Sequence, residues 1–366
     1  LGLLSSVLAE QGRAAEASRL AQEALLSYQQ AGAAEDSVFV STARKNLGSA
    51  LVAQGRYGEA ASIFVRNREA LKNNPELLRK VGSGHTEWVI ALLRTGDQAA
   101  AERMSRSMYE WAAKRYGEAD SRVAFRRAFV AMTVAERGDY PGALALFRAS
   151  VPQLLAQARD DVEAETGTLR KQRYLIIILE SYLRALASAG TSTPETLAES
   201  FRIADIARSS IVQRALTAAA ARANIADPRL ADMARREQDA QRRGNALSEL
   251  LTQLLSAPPE QQLAKVQETL RRDIAELKQQ RDALRKEIVA GYPDYAELVA
   301  PQPATLERAR ASLRPGEALV AFYLGEQESY VWALNARGEA RFAMLGQARQ
   351  AVAKTIAQLR AALDPG

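Results

Sequence analysis

At 366 residues, with 47% hydrophobic and only 6% aromatic content, the chain can hold a large helical core packed mainly by Ala and Leu, and more than one structural unit. It has no cysteine, which excludes disulfides, zinc thiolates and thiol catalysis by these residues, and its single histidine, His85, has no nucleophile to serve. The formal net charge of +6 is spread among interleaved acids, so the clusters Arg122, Arg126, Arg127 and Arg235, Arg236, Arg242, Arg243 read as solvated helix surface; they lack the accompanying aromatics of a single-strand nucleic-acid binder, and no apolar run approaches the length of a membrane span.

The chain opens at Leu1, without a methionine, inside what reads as a helix, so a native N-terminus is expected upstream. From there four glycines, Gly12, Gly55, Gly96 and Gly138, recur at steps of 43, 41 and 42 residues. An alanine follows each glycine by five positions, at Ala17, Ala60, Ala101 and Ala143. The spacing predicts helical hairpins. Each glycine takes the left-handed conformation that ends a helix, and each small alanine lets the next helix approach closely. Leu47, Leu51 and Val52 before the second turn and Ile63 and Phe64 after it show helical periodicity, as do Val130, Val134, Leu144 and Phe147 around the fourth. Gly82-Ser83-Gly84 lacks the lysine and preceding strand of a phosphate loop and is read as the opening of the third unit. The acids Asp160, Asp161, Glu163 and Glu165 have no second ligand set and read as a solvated loop or helix end. A fifth unit runs from Arg170 to Ser210 with a stretched turn at Gly190 to Pro194, where Thr193 caps the second helix, and helix is expected to continue to Ala223.

Leu47-Gly48, Leu51, Gly55, Tyr57, Ala60 and Phe64 resemble the tetratricopeptide pattern, with Leu4, Leu8, Gly12, Ala17 and Trp88, Leu92, Gly96, Ala101 as further copies. The family period is about 34 residues. The longer spacing here is similar to that of its long-helix subclass. Gln98 and Ser105 depart from the pattern in the third unit, where an aromatic and a Phe are expected. The resemblance implies a mostly α fold: a tetratricopeptide α-α superhelix over 1–223, built of about five helix pairs with a repeat of about 42 residues.

After the break at Asp227-Pro228, polar helices are expected from Leu230 to Ser256 and from Glu260 to Ala290, reversed at Ala257-Pro258-Pro259. Leu263, Val266, Leu270, Ile274, Leu277, Leu284 and Ile288 form one stripe, interrupted by Arg281. An antiparallel helical hairpin over 224–300 is the simplest reading, an oligomerisation arm the other. Turn signals then replace helix signals at Gly291 to Tyr295 and Pro301 to Pro303. Strands are predicted at Leu319–Leu324, Ser329–Leu334 and Ala340–Leu345, followed by a helix over Gln347–Ala362, together a small C-terminal β-hairpin and helix unit. Three strands and one helix leave a sheet face uncovered. The sheet must therefore pack on the helical region, pair with another chain, or await further sequence.

The order Tyr292-Pro293-Asp294-Tyr295, then Leu313 to Gly325, then Tyr330-Val331-Trp332-Ala333-Leu334 resembles the entry into a CHAT domain, the caspase-like module found after tetratricopeptide repeats in bacterial proteins. The resemblance implies that 301–366 is the incomplete N-terminal part of that α/β domain and that a His and Cys pair would lie downstream. It suggests a bacterial, cytoplasmic setting. No residue of this chain carries over as catalytic, and no cofactor, metal or small-molecule substrate is expected. What the family geometry does offer is a concave groove for a protein or peptide ligand. Its inward positions project onto Thr42, Lys45, Asn46 and Ser49; Thr86, Glu87 and Ile90; and Phe125, Phe129 and Met132. The last three serve equally as core between repeats. The function expected is a regulatory scaffold of a tetratricopeptide and CHAT protein, or, as the alternative, a self-contained interaction scaffold without associated enzyme activity. A nucleic-acid adaptor is the weakest reading.

Overall fold

Each ladder glycine ends a helix in the same way. In the computed structural model Gly12, Gly55, Gly96 and Gly138 have φ between 75° and 85°. The residue after each glycine donates its N–H to a carbonyl in the last helical turn: Arg13 to Leu8, Arg56 to Leu51, Asp97 to Leu92 and Asp139 to Val134. The glycine N–H bonds one residue further on, as Gly55 does to Val52 at 3.1 Å. This paired pattern satisfies carbonyls that the helix end leaves free, and it needs a residue that tolerates positive φ. The structure describes residues 1–78, 81, 86–163, 169–190, 193–208, 220–221, 224–256, 263–299 and 303–363, with backbone alone at 159–163. Among them are sixteen helices and one three-stranded sheet.

The chain divides into two units. The first comprises 1–157, 168–207 and 305–366. Its helices are α1 (Gly2–Glu10), α2 (Ala14–Gln30), α3 (Val38–Ala53), α4 (Tyr57–Ala70), the short α5 (Pro75–Leu77), α6 (Thr86–Thr95), α7 (Gln98–Tyr116), α8 (Ser121–Glu136), α9 (Tyr140–Glu163, shared between units), α10 (Leu169–Ser188) and α11 (Pro194–Arg208). From α1 to α4 each helix packs on the next, then α4 on α6, α6 on α7 and α7 on α8. The alternate helices α1, α3, α6 and α8 also touch in succession and form one layer, the inner layer, and α10 packs on both its ends, α1 and α8. Ala17, Ala60, Ala101 and Ala143 are fully buried at the seams. At Gly48 the approach is closer still, because an added Cβ would lie 2.6 Å from the Phe64 ring.

In the third unit, Ser105 occupies the place of the missing Phe. It is fully buried and lies 3.3 Å from Thr133 Oγ1, so a hydrogen bond replaces the ring. Gly82-Ser83-Gly84, His85, Glu165 and the proline reversal at 257–259 fall outside the described residues, as do the side chains of Asp160, Asp161 and Glu163 and most of the expected continuation to Ala223. Thr193 caps α11, accepting from Thr196 N at 3.2 Å.

The first unit ends in α15 (Leu306–Ala311), β1 (Ala318–Leu324), β2 (Ser329–Asn335), β3 (Ala340–Leu345) and α16 (Arg349–Leu363). The strands form an antiparallel meander in the order β1-β2-β3, with Tyr323 opposite Tyr330 and Trp332 opposite both Ala321 and Phe342. One face carries Tyr323, Tyr330, Trp332 and Leu334, all buried. The other is open, with Val320 and Phe322 each 54% exposed.

The second unit comprises 158–167 and 208–304 and contains α12 (Pro228–Ser256), α13 (Ala264–Gly291) and α14 (Pro293–Val299). Helices α12 and α13 pack along each other. Leu230, Met233 and Ile288 form a small core with Tyr292 and Tyr295, and Tyr292 donates to Asp227 Oδ2 at 3.0 Å. Arg281, which interrupts the apolar stripe, is buried and donates to Glu237 Oε1 at 3.2 Å, as does Arg285 at 2.8 Å. The break in the stripe is a buried ion pair. Two short helices, α14 and α15, occupy a stretch whose sequence reads as turns. Pro293 starts the first, where its missing N–H costs nothing, and Thr305 caps the second by accepting from Arg308 N at 3.2 Å.

Candidate functional site: the inner layer and the helix that lies across it

The positions expected to line a groove lie on three inner helices, α3, α6 and α8. Thr42, Lys45, Asn46 and Ser49 on α3 are half-buried, and Asn46 Nδ2 donates to Gly2 O at 3.0 Å, tying α3 to α1. Thr86, Glu87 and Ile90 on α6 are buried, as are Phe129 and Met132 on α8, while Phe125 is half-buried. What covers those on α6 and α8 is the chain itself: helix α10 packs there, and its side chains meet Glu87, Ile90, Phe125, Phe129 and Met132.

At its start Arg170 pairs with Glu10 of α1, and its other amino group stands 3.8 Å from Glu87. Leu169 reaches the cap at Gly12, where its Cδ1 lies 3.0 Å from the position an added Cβ would take. Arg173 donates to Val52 O at the end of α3. One residue on, the Tyr174 hydroxyl donates to Glu87, and the ring packs on Phe125 at 5.7 Å and Phe129 at 6.4 Å between centroids. Burial and the Glu87 carboxylate push the Tyr174 phenol well above its ordinary range, so it stays a hydrogen-bond donor at any physiological pH. A turn later Ile177 meets Ile90 and Met132 around a cavity of about 30 Å³, room for a single water.

Beyond Ile177 the same face of α10 meets the β-sheet. Glu180, directly after the apolar run Leu175 to Leu179, is 9% exposed. It accepts from Tyr323 Oη at 3.0 Å and from the backbone N–H of Glu326, in the β1–β2 turn, at 3.1 Å. Burial raises its pKa, and those two donors only partly offset the effect. Arg184 joins Glu136 of α8 to Glu328 of the same turn, with a 3.0 Å contact to the latter. Burial opposes the Arg184 charge, but the two carboxylates more than compensate, so its pKa rises. Tyr330 is driven up by burial and by Glu328. Trp332 Nε1 donates to Ser200 Oγ of α11 at 2.9 Å, with Phe201 packed edge-on at 6.1 Å. The Tyr57 hydroxyl of α4 donates to Glu326 Oε1 at 3.2 Å, so the turn also touches the second helix pair.

The sheet is therefore fastened to the helices by a buried aromatic face and a ring of acid–arginine and acid–tyrosine contacts. Sequence reading missed Glu180 and Arg184. The signal was present: a glutamate directly after Ile176-Ile177-Ile178-Leu179 is buried unless the helix ends, and a buried carboxylate needs donors.

Among the described residues no group of three or more His, Cys, Asp or Glu side chains could hold a metal ion, and no helix is long and apolar enough to cross a membrane. Comparison with known protein families and with curated proteins returns no match.

Proposed function

We propose that the chain is a protein- or peptide-binding regulatory scaffold, the tetratricopeptide part of a CHAT protein whose peptidase chemistry resides outside these residues. The observation that carries this reading is the double duty of α10. One face of a single helix holds the inner-layer residues Glu87, Phe125 and Phe129 through Arg170 and Tyr174, and holds the sheet through Glu180 and Arg184. A ligand that engages the helices on which α10 packs thereby acts on the element that positions the sheet. The repeated glycine caps and buried alanines support the repeat assignment, and the absence of cysteine is consistent with chemistry carried elsewhere.

The test is hydrogen exchange on the chain with and without peptides selected for binding to it. Binding should change protection both in α6 and α8 and in β2. Protection that changes in the helices but not in β2, or that leaves α6 and α8 unchanged, would remove the regulatory part of the proposal. Peptidase turnover by the purified chain would overturn the assignment of chemistry elsewhere.

A further inference from the structure

Arg126 of α8 is a half-buried arginine with no carboxylate partner among the described residues. Its one hydrogen bond runs from Nη1 to Thr86 Oγ1 at 3.4 Å, at the long limit for such a bond. Burial lowers its pKa, against the milder opposing influence of Glu87. That carboxylate is already engaged by Tyr174 and Arg170. The neighbouring Arg122 is also satisfied, because Asp120 takes it through two bonds of 2.9 and 2.8 Å. A guanidinium removed from water without a counter-ion is costly, and a protein tolerates it where something else supplies the charge.

An aromatic shelf adjoins it. The Arg122 guanidinium lies 3.7 Å from the Tyr116 ring centroid, and Tyr116 meets Trp111 edge-on at 5.7 Å. Trp111 is 53% exposed, and Arg115, 5.7 Å from its ring, has no carboxylate partner among the described residues. Arg126 follows Arg122 by one helical turn of α8, and Arg122 lies on Tyr116, which meets the exposed Trp111, so an unmatched cation stands near an exposed indole. Trp, Tyr and Arg are the residues in which binding energy concentrates at interfaces.

We propose that this strip binds an acidic peptide, one side-chain carboxylate of which pairs with Arg126 while an adjacent apolar side chain rests on Trp111. At Arg126 the ligand group is a single carboxylate, because Arg122 is neutralised by Asp120 and Arg170 by Glu10, and Arg115 beside Trp111 adds a second positive charge that suits an acidic peptide. The inference rests on the scaffold reading above and names the class of peptide it takes, along a strip from Arg126 of α8 to Trp111 of α7.

Random peptides displayed on phage are selected against the full chain, and the winners are titrated by fluorescence anisotropy. The expected winners carry Asp or Glu next to an apolar residue. R126M should weaken them about tenfold or more, as should Asp→Asn or Glu→Gln in the peptide, while R243Q on α12 should leave binding unchanged. In the free chain, R126M should melt no lower than the wild type, because it removes an uncompensated charge. Winners that bind without an acid, that tolerate R126M, or that bind tightly only when phosphorylated overturn this proposal and leave the scaffold reading standing. Failure to obtain any binding peptide overturns both. A melting point several degrees lower in R126M assigns Arg126 to the fold and overturns the binding role alone.

Discussion

The indole N–H of Trp332 donates to Ser200 Oγ at 2.9 Å, and both side chains are buried where β2 meets α11. Ser200 Oγ in turn donates to Leu197 O at 2.9 Å, so the serine is held in place by its own helix. Removing the hydroxyl strands a buried donor, whereas removing the indole opens a cavity beneath the sheet. S200A should cost about 1–3 kcal/mol and W332A about 3–5 kcal/mol. Urea unfolding followed by near-ultraviolet circular dichroism measures both. Equal and small losses would mean that the sheet is not fastened here.

Tyr174 offers a test of the inner layer. Y174F keeps the ring against Phe125 and Phe129 but leaves the Glu87 carboxylate with the more distant Arg170 alone. A loss of about 1–2 kcal/mol is expected. F129A, which empties a fully buried site, should cost about 3–5 kcal/mol. If Y174F proves neutral in thermal unfolding, the hydroxyl contributes nothing to the seating of α10.

The charge on Glu180 sets a pH dependence. Its carboxyl has a pKa raised above the ordinary 4.5, chiefly by burial. Between the unfolded and the folded value the native state binds the extra proton, so this residue's contribution to stability falls as pH rises through that window. In E180Q the side-chain oxygen still accepts from Tyr323 and the Glu326 N–H, and nothing at this position titrates. The melting temperature of E180Q relative to wild type should therefore climb as pH increases from below 4.5 to neutrality. A difference that is flat with pH would show that Glu180 is adequately solvated.

Two glycines on adjacent helices should respond in opposite directions. A methyl group added at Gly48 of α3 would lie 2.6 Å from the Phe64 ring, while a Cβ at Gly58 of α4 meets nothing within 4 Å. G48A should destabilise by about 1–3 kcal/mol through overpacking. G58A should stabilise by about 0.5 kcal/mol through the better helix propensity of alanine. Paired chemical denaturation curves decide the matter, and a stabilising G48A would refute the close approach of α3 and α4.

Much of this architecture is legible in the amino-acid order because its determinants are local. A helix cap needs a glycine at one position, and the strand runs around Tyr323 and Trp332 alternate between a buried and an open face. The two short helices α14 and α15 were hidden by the very prolines that read as turns; Pro293 begins a helix as readily as it ends one. The inner-layer positions could be projected, but not their coverage by α10. That coverage rests on contacts between residues far apart in sequence, Arg170 with Glu10 and Tyr174 with Glu87, and no single residue encodes it. Arg281 is a similar case: within α13 it is only a flaw in an apolar stripe, and its meaning lies in Glu237 on another helix.

A stack of helical hairpins ordinarily behaves as a one-dimensional chain, in which each unit feels only its neighbours and the ends fray first. The contact of α10 with α1, through Arg170 with Glu10 and Leu169 with the cap at Gly12, adds a bond between units that are far apart in that chain. Loss of the first hairpin then exposes a flank of the fifth, and with it the helix beneath the sheet. The first unit should melt in a single cooperative step rather than unzip from its N-terminus, and its terminal pair should be protected from hydrogen exchange to nearly the same degree as its middle ones.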